Sequence, residues 1–163
     1  QHDAHMLPFP NRTFDLVTCR IAPHHFTDVV SFLEEVVRVT RLGSTVGIID
    51  NCTPVNPLVA RYINAYERLR DSSHHYSHTC SDWKSFFDGV GLRVEYLQEY
   101  RKTLNFRAYC DRKAISAFRR TQLKVMLLQA PEAALAYLNP RNVDGEFVFD
   151  LQEVLIIGRL VSG

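Results

Sequence analysis

The stretch from Phe14 to Asp50 constrains the fold more than any other part of the chain. FDLVTCRI, Phe14 to Ile21, is rich in β-branched and apolar residues and follows the turn-forming Pro8, Pro10 and Asn11, so it is expected to be a strand. TVGIID, Thr45 to Asp50, is an apolar run without clean alternation. That is the pattern of a strand buried on both faces, as in a parallel sheet with helices above and below. Between the two, Val29, Phe32, Leu33 and Val36 fall at helical spacing. Thr27 or Asp28 can cap this helix by accepting a hydrogen bond from a free backbone N–H of its first turn. Glu34 and Arg38 stand at i,i+4 on its exposed side, and Gly43 sits where a helix can end in a left-handed residue. Strand, helix and strand with links this short imply a right-handed parallel crossover.

Downstream, Pro57 opens a second helix carrying Leu58, Val59, Tyr62, Ile63, Tyr66 and Leu69. Thr79 with Asp82 resembles a capping box, with Asp in place of the preferred Glu. The helix it starts carries Trp83, Phe86, Phe87 and Val90, and Gly91 stops it. Leu92, Val94 and Tyr96 alternate with Arg93 and Glu95, the period of a half-buried strand. Residues 105 to 139 read as helical, with Ala117, Phe118, Leu123, Met126 and Leu127 as the inner face, and Pro140 to Gly145 form a break. Val154 to Val161, VLIIGRLV, is the most apolar run and reads as a central strand. There is no internal repeat or linker, so residues 1–163 are expected to form a single α/β domain.

Charge and cysteine usage exclude several functions. Lys and Arg are interspersed with acids and the formal net charge is +1, which gives no electrostatic footprint for nucleic acid or an acidic membrane surface. The densest basic stretch, Arg112, Lys113, Arg119 and Arg120, reads as a solvated helix face. No apolar run approaches the roughly 20 residues of a membrane span. Cys19, Cys52, Cys80 and Cys110 stand far apart with no CxxC pair, the usage expected in a reducing, cytoplasmic setting. Neither a GxSxG elbow nor a P-loop appears.

Four groups of residues are candidates for chemistry. His24 and His25 follow the first strand, where ligands of open α/β sheets bind. Either can serve as a proton acceptor near neutral pH, or one packs and the other is solvated. Asp50 ends the second strand and faces the same crevice, in a polar role there or as a cap of the next turn; Asp15 lies at the opposite strand end. His74, His75, His78 and Cys80 concentrate metal-ligand types in seven residues. The spacing of a structural zinc site is absent, and a metal-free His-rich loop is expected. Tyr62, Tyr66, Phe106 and Tyr109 line an apolar pocket or pack as core. On these residues alone the chain is a Rossmann-like fragment with a candidate site and no assigned reaction.

The run from Asp3, DAHMLPFPNRTFDLVTCRIAPHHF, resembles the middle of the class I S-adenosylmethionine-dependent methyltransferases, in the type 11 group that includes the ubiquinone and menaquinone biosynthesis C-methylases. That group carries D-A-x-x-L-P-F, a turn, and F-D-x-V in its fourth strand. FLEEVVRVTRLGSTVGIID is similar to its next helix, glycine turn and fifth strand, and SDWKSFFDGVGLRVE to its penultimate helix and sixth strand. The resemblance implies a half-sheet of four strands in the order 4-5-7-6, with the seventh antiparallel, flanking helices, and a helical lid over residues 102 to 140. It implies that Asp3 and Ala4 lie against the adenine of S-adenosylmethionine, and that Arg20, Ile21 and Ala22 approach its methionine end.

The departures from the family pattern set the remaining expectations. The glycine-rich turn after the family's first strand and the ribose-binding acid after its second are not among these 163 residues. Leu42, Gly43 and Ser44 replace a Pro-Gly-Gly turn, and His2 stands where glycine is common. The expectation is a truncated relative of a small-molecule methyltransferase that does not hold S-adenosylmethionine or methylate alone. The alternatives are one piece of an active enzyme completed by an amino-terminal half on another chain, and a non-catalytic dimeric binding or structural module. A homodimer joined through the strand Phe14 to Ile21 is expected, because that strand lacks its family neighbour and carries no blunting Pro or Lys.

Overall fold

The computed structural model describes residues 2–161. Strand β1 (Phe14–Arg20) leads through a 3-10 turn (Pro23–His25) into helix α1 (Val29–Val39) and strand β2 (Thr40–Cys52). Helices α2 (Pro57–Arg70) and α3 (Cys80–Gly89) follow, then strand β3 (Leu92–Asn105) and helices α4 (Phe106–Asp111), α5 (Ala117–Leu128) and α6 (Glu132–Leu138). A short strand β4 (Arg141–Val143) turns into β5 (Glu146–Leu160). The sheet order is β1-β2-β5-β3, with β4 on the far end of β5. β1 and β2 run parallel, and β5 runs antiparallel to both β2 and β3. This is the expected 4-5-7-6 half-sheet with its reversed strand.

Local chemistry explains each boundary. Asp28, not Thr27, caps α1, accepting from the Ser31 N–H at 3.0 Å. The helix ends at Val39, four residues before Gly43, and Gly43 instead supplies a left-handed residue (φ 78°) inside β2. There the β1–β2 register slips between Phe14 and Leu16. Arg38 forks onto Glu35, with both contacts at 2.7 Å, rather than onto Glu34. Its remaining N–H groups reach the Leu7 and Phe9 carbonyls and Asn11, so the guanidinium fastens the segment before β1 to α1. Thr79 and Asp82 form the full capping box of α3.

Two strands run longer than their hydrophobic pattern. β3 and β5 continue past the sheet as a two-stranded ribbon, paired from Leu92↔Leu160 to Asn105↔Val148. Along β3, Gln98, Glu99, Tyr100 and Arg101 are exposed and Lys102 pairs with an acid, so no alternation marks it. The lid helices therefore start at Phe106, not at 102, and the break at 140–145 is the β4–β5 hairpin, turned by Asp144 and Gly145 with positive φ. Phe118 is 73% exposed and is no part of the inner face of α5, which is formed by Leu123 and Leu127.

Two cores result. Val29, Phe32, Leu33 and Val36 of α1 and Trp83 and Phe87 of α3 cover Val46, Ile48, Val154 and Ile156 on one face of the sheet. Gly158 belongs to this packing: a Cβ there would meet the Phe87 ring at 2.8 Å. The second core gathers α2 and α4–α6 around Phe149 and Leu151 of β5. Among the described residues no helix is long and apolar enough to cross a membrane.

Candidate active site at the ends of β1 and β2

Between the second core and the sheet lies a crevice of about 380 Å³, within the range of small-molecule sites. It opens at the carboxyl ends of β1 and β2, where ligands of α/β sheets bind. Arg20 and Ile21 from the end of β1, His24 and His25 from the 3-10 turn, and Asn51 from β2 form one wall. Glu67, Arg70 and Asp71 at the end of α2, Tyr109 and Arg112 at the lid, and Lys102 and Glu153 of the ribbon are among the residues facing it.

His24 is the most constrained of these side chains. Its Nδ1 lies 2.6 Å from Oδ1 of Asp50, and both residues are buried. A carboxylate on Nδ1 fixes the ring orientation and leaves Nε2 for other work. The backbone is held as well: the His24 carbonyl accepts from the N–H groups of His75 and Tyr76 at 2.8 and 3.0 Å. Asp50 thus holds His24 at the edge of the crevice. His25 is placed differently, with Nδ1 2.9 Å from the Ser73 carbonyl. The His74 ring lies 5.5 Å from that of His24. His74 Nε2 meets Asn64 Oδ1 at 2.8 Å, an acceptor that requires His74 to donate. Burial, with His24, Arg68 and His25 nearby, pulls His74 down to about 3, so it stays neutral.

Ile21, directly after β1, has φ 50°, a left-handed conformation that a β-branched residue rarely adopts. Its N–H donates to the Ile49 carbonyl at 2.8 Å, which holds the strained residue in place. Such strain costs about 1 to 3 kcal/mol and clusters at ligand sites. Charge distribution in the crevice is uneven. Lys102 pairs with Glu153 and Lys113 with Asp71, each at 2.5 Å, and Arg70 stands 3.8 Å from Glu67. Arg20 and Arg112 make no ion pair among the described residues. Burial pushes the Glu67 carboxyl up, against the opposing pull of the Tyr109 hydroxyl that donates to it and of Arg70.

Of the residues singled out from sequence, His24, His25, Arg20 and Ile21 meet in this crevice, and Ala22 links them. Asp3 lies outside it, exposed, its carboxylate accepting from the N–H of His5 at 2.9 Å, while Ala4 packs against the first core. Of the four aromatic residues only Tyr109 reaches the crevice. Tyr66 is fully buried, and Tyr62 and Phe106 pack at the margin of the second core. The His74–Cys80 loop does not converge: His74 is tied to Asn64, and His78 packs edge-on against Phe86 and Trp83. Glu67, Arg70, Lys102 and Glu153 were not foreseen. Lys102 and Glu153 are cross-strand neighbours only because the ribbon pairs Lys102 with Leu151 and Arg101 with Gln152.

The methyltransferase domain family matches residues 1–48 of the chain. YcgJ of Bacillus subtilis, an uncharacterized methyltransferase, is 32% identical over 160 residues, and the chain spans 97% of its own length but only 63% of that relative. The crystal structure of YcgJ superposes with a TM-score of 0.93 at 31% identity, covering 100% of this chain and 70% of that one. A Bacillus halodurans structure described as a methyltransferase gives 0.93 at 31%, covering 99% and 76%. A geranyl diphosphate methyltransferase in complex with S-adenosylmethionine shares the fold alone, with a TM-score of 0.58 at 15% identity over 98% of this chain and 56% of that one. The sheet order, the reversed last strand and these relatives place the chain in one group: it belongs to the class I S-adenosylmethionine-dependent methyltransferases.

Proposed function

We propose that the chain forms the acceptor side and methionine end of a small-molecule methyltransferase site, with His24 as the proton acceptor. The carrying observation is the buried His24–Asp50 pair at the ends of β1 and β2. When bound, S-adenosylmethionine supplies an electrophilic methyl group on a sulfonium. Methyl transfer depends chiefly on alignment of donor and acceptor. A hydroxyl or amine acceptor also loses a proton as its new bond forms, and His24 Nε2 is suited to take it. Asp50 then stabilises the imidazolium. Arg20 and the strained Ile21 suit the methionine end of the cofactor, Arg20 as partner of a carboxylate. Asp3 retains one carboxylate oxygen for an adenine amino group. A reducing setting suits the four free thiols.

On this reading the 163 residues do not hold the cofactor alone, because the glycine-rich turn and ribose-binding acid are not among them. Losing several buried hydrogen bonds at about 1 to 3 kcal/mol each lowers affinity by orders of magnitude. A further segment pairing with β1 supplies them in the complete site, and in its absence two copies associate there. The test has two arms. Titration calorimetry of the 163-residue chain with S-adenosylmethionine is expected to show no micromolar binding, and such binding would remove the need for a second segment. In a cofactor-competent protein containing this chain, labelled methyl transfer is followed over a panel of phenols, alcohols and amines. His24→Gln is expected to lower kcat by about 10² or more with the KM for the cofactor unchanged. Undiminished kcat would exclude His24 as the base.

A further inference from the structure

On the sheet face away from the crevice, three side chains from three elements come together. Cys52 ends β2, Cys80 opens α3, and Glu99 lies on β3. The two sulfurs and a Glu99 carboxylate oxygen all lie within 4.8 Å of one another, and Cys80 Sγ is 3.6 Å from Glu99 Oε2. Ligands arranged tetrahedrally around zinc, at about 2.3 Å for sulfur and about 2.0 to 2.2 Å for oxygen, stand about 3.5 to 3.8 Å apart. One edge of the trio is already at that spacing. We propose that Cys52, Cys80 and Glu99 form a binding site for a thiophilic divalent cation, zinc being the fitting member, with solvent as fourth ligand.

The scaffold around the trio is rigid where a metal site needs it to be. The Tyr137 hydroxyl donates to the Cys52 carbonyl at 2.7 Å. The next residue, Thr53, donates its N–H to the His78 carbonyl at 3.1 Å and its hydroxyl to the Ser77 carbonyl at 3.2 Å. These bonds tie the end of β2 to the segment that delivers Cys80. Cys80 is the first residue after the Thr79 cap, where helix N-terminal N–H groups favour a thiolate. Cys52 is buried, Cys80 half-buried and Glu99 exposed, so the trio runs from core to solvent and gives an ion a way in. Two thiolates and a carboxylate offer the borderline-soft donor set that selects zinc over magnesium or calcium. None of His74, His75 and His78 belongs to the group.

The test is metal titration of the reduced, untagged chain. Cobalt(II) is expected to bind at one equivalent with a thiolate-to-metal charge-transfer band, and zinc to displace it and appear as a 1:1 adduct in native mass spectrometry. Cys80→Ser, at a half-buried position that tolerates it, is expected to abolish the band. Glu99→Gln is expected to weaken binding at least about tenfold, since even outer-shell changes cost about 10 to 100-fold. The triple change of His74, His75 and His78 to Gln leaves the band in place. Absence of the band in the folded wild-type chain overturns the proposal. So does a band that survives Cys80→Ser or is lost with the histidines.

Discussion

The two faces of strand β5 carry the same kind of residue and live in different surroundings. Val154, Ile156 and Leu160 point under α1 and α3 and are buried. On the opposite face, Phe149 and Leu151 belong to the second core, Leu151 and Glu153 border the crevice, and Leu155 and Ile157 lie in an apolar groove with Leu16, Thr45, Gly47 and Ile49. This second face thus passes from packed core through crevice to open sheet within ten residues. No helix of the described residues covers its far end, and Leu16 on the edge strand is 59% exposed. Apolar surface of this kind, next to an unpaired strand edge, is the kind that association covers. Hydrophobic sequence alone does not distinguish the two faces; what covers them does.

The sharpest way to break this comparison is a pair of adjacent substitutions. Ile156→Ala removes a fully buried side chain from a closed core and is expected to cost about 2 to 5 kcal/mol. Ile157→Ala, one residue on, is expected to cost less than about 1 kcal/mol in the dilute chain, because little packing is lost. Urea unfolding of both variants measures the difference. Equal losses would mean that the second face is covered in solution as well as the first.

The same comparison bears on association. The 163-residue chain is expected to scatter light as a dimer at low micromolar concentration, and a monomer of 18.8 kDa would contradict it. Leu16→Lys places a charge on the exposed groove and edge, and is expected to weaken the dimer about tenfold or more, about 1.4 kcal/mol. A dimer untouched by Leu16→Lys would place the contact away from β1.

How much of this was legible in the sequence follows from the same faces. The run from β1 through α1 to β2 was readable because a core on one side and a crossover on the other leave a strong apolar signature. The resemblance carried the strand order 4-5-7-6 and the reversal of β5. The β3–β5 ribbon was not readable, since both its faces are partly solvated and its pairs are ionic: Lys102 with Glu153, Arg101 with Asp150. His24 and Asp50 were both placed at the crevice from their positions after strands. Their contact was out of reach, because strand register brings together residues 26 apart in sequence. The aromatic residues of α2 misled because helical spacing marks a buried stripe without saying what fills it. Tyr66 stacks on Tyr109 inside the core, and only Tyr109 extends to the crevice.

The smallest expected effect concerns the loop that joins the two cores. His74 follows α2, whose inner side belongs to the second core, and precedes α3, which belongs to the first. Burial holds its imidazole down to about 3 from an ordinary value of 6.5, with the neighbouring His24, Arg68 and His25 adding to the effect. The unfolded chain takes up a proton at this ring below pH 6.5, whereas the folded chain does not until far lower. Stability tied to His74 is therefore complete above pH 6.5 and is lost progressively as pH falls toward 3. His78, also held down first by burial, acts in the same direction. The urea midpoint of the wild-type chain is expected to drop between pH 7 and pH 5. His74→Gln keeps a donor for Asn64 Oδ1 but cannot be charged, so its midpoint is expected to fall less over the same interval. If the two pH profiles run parallel, His74 is solvated in the folded chain, and the loop does not seal the junction between the two cores.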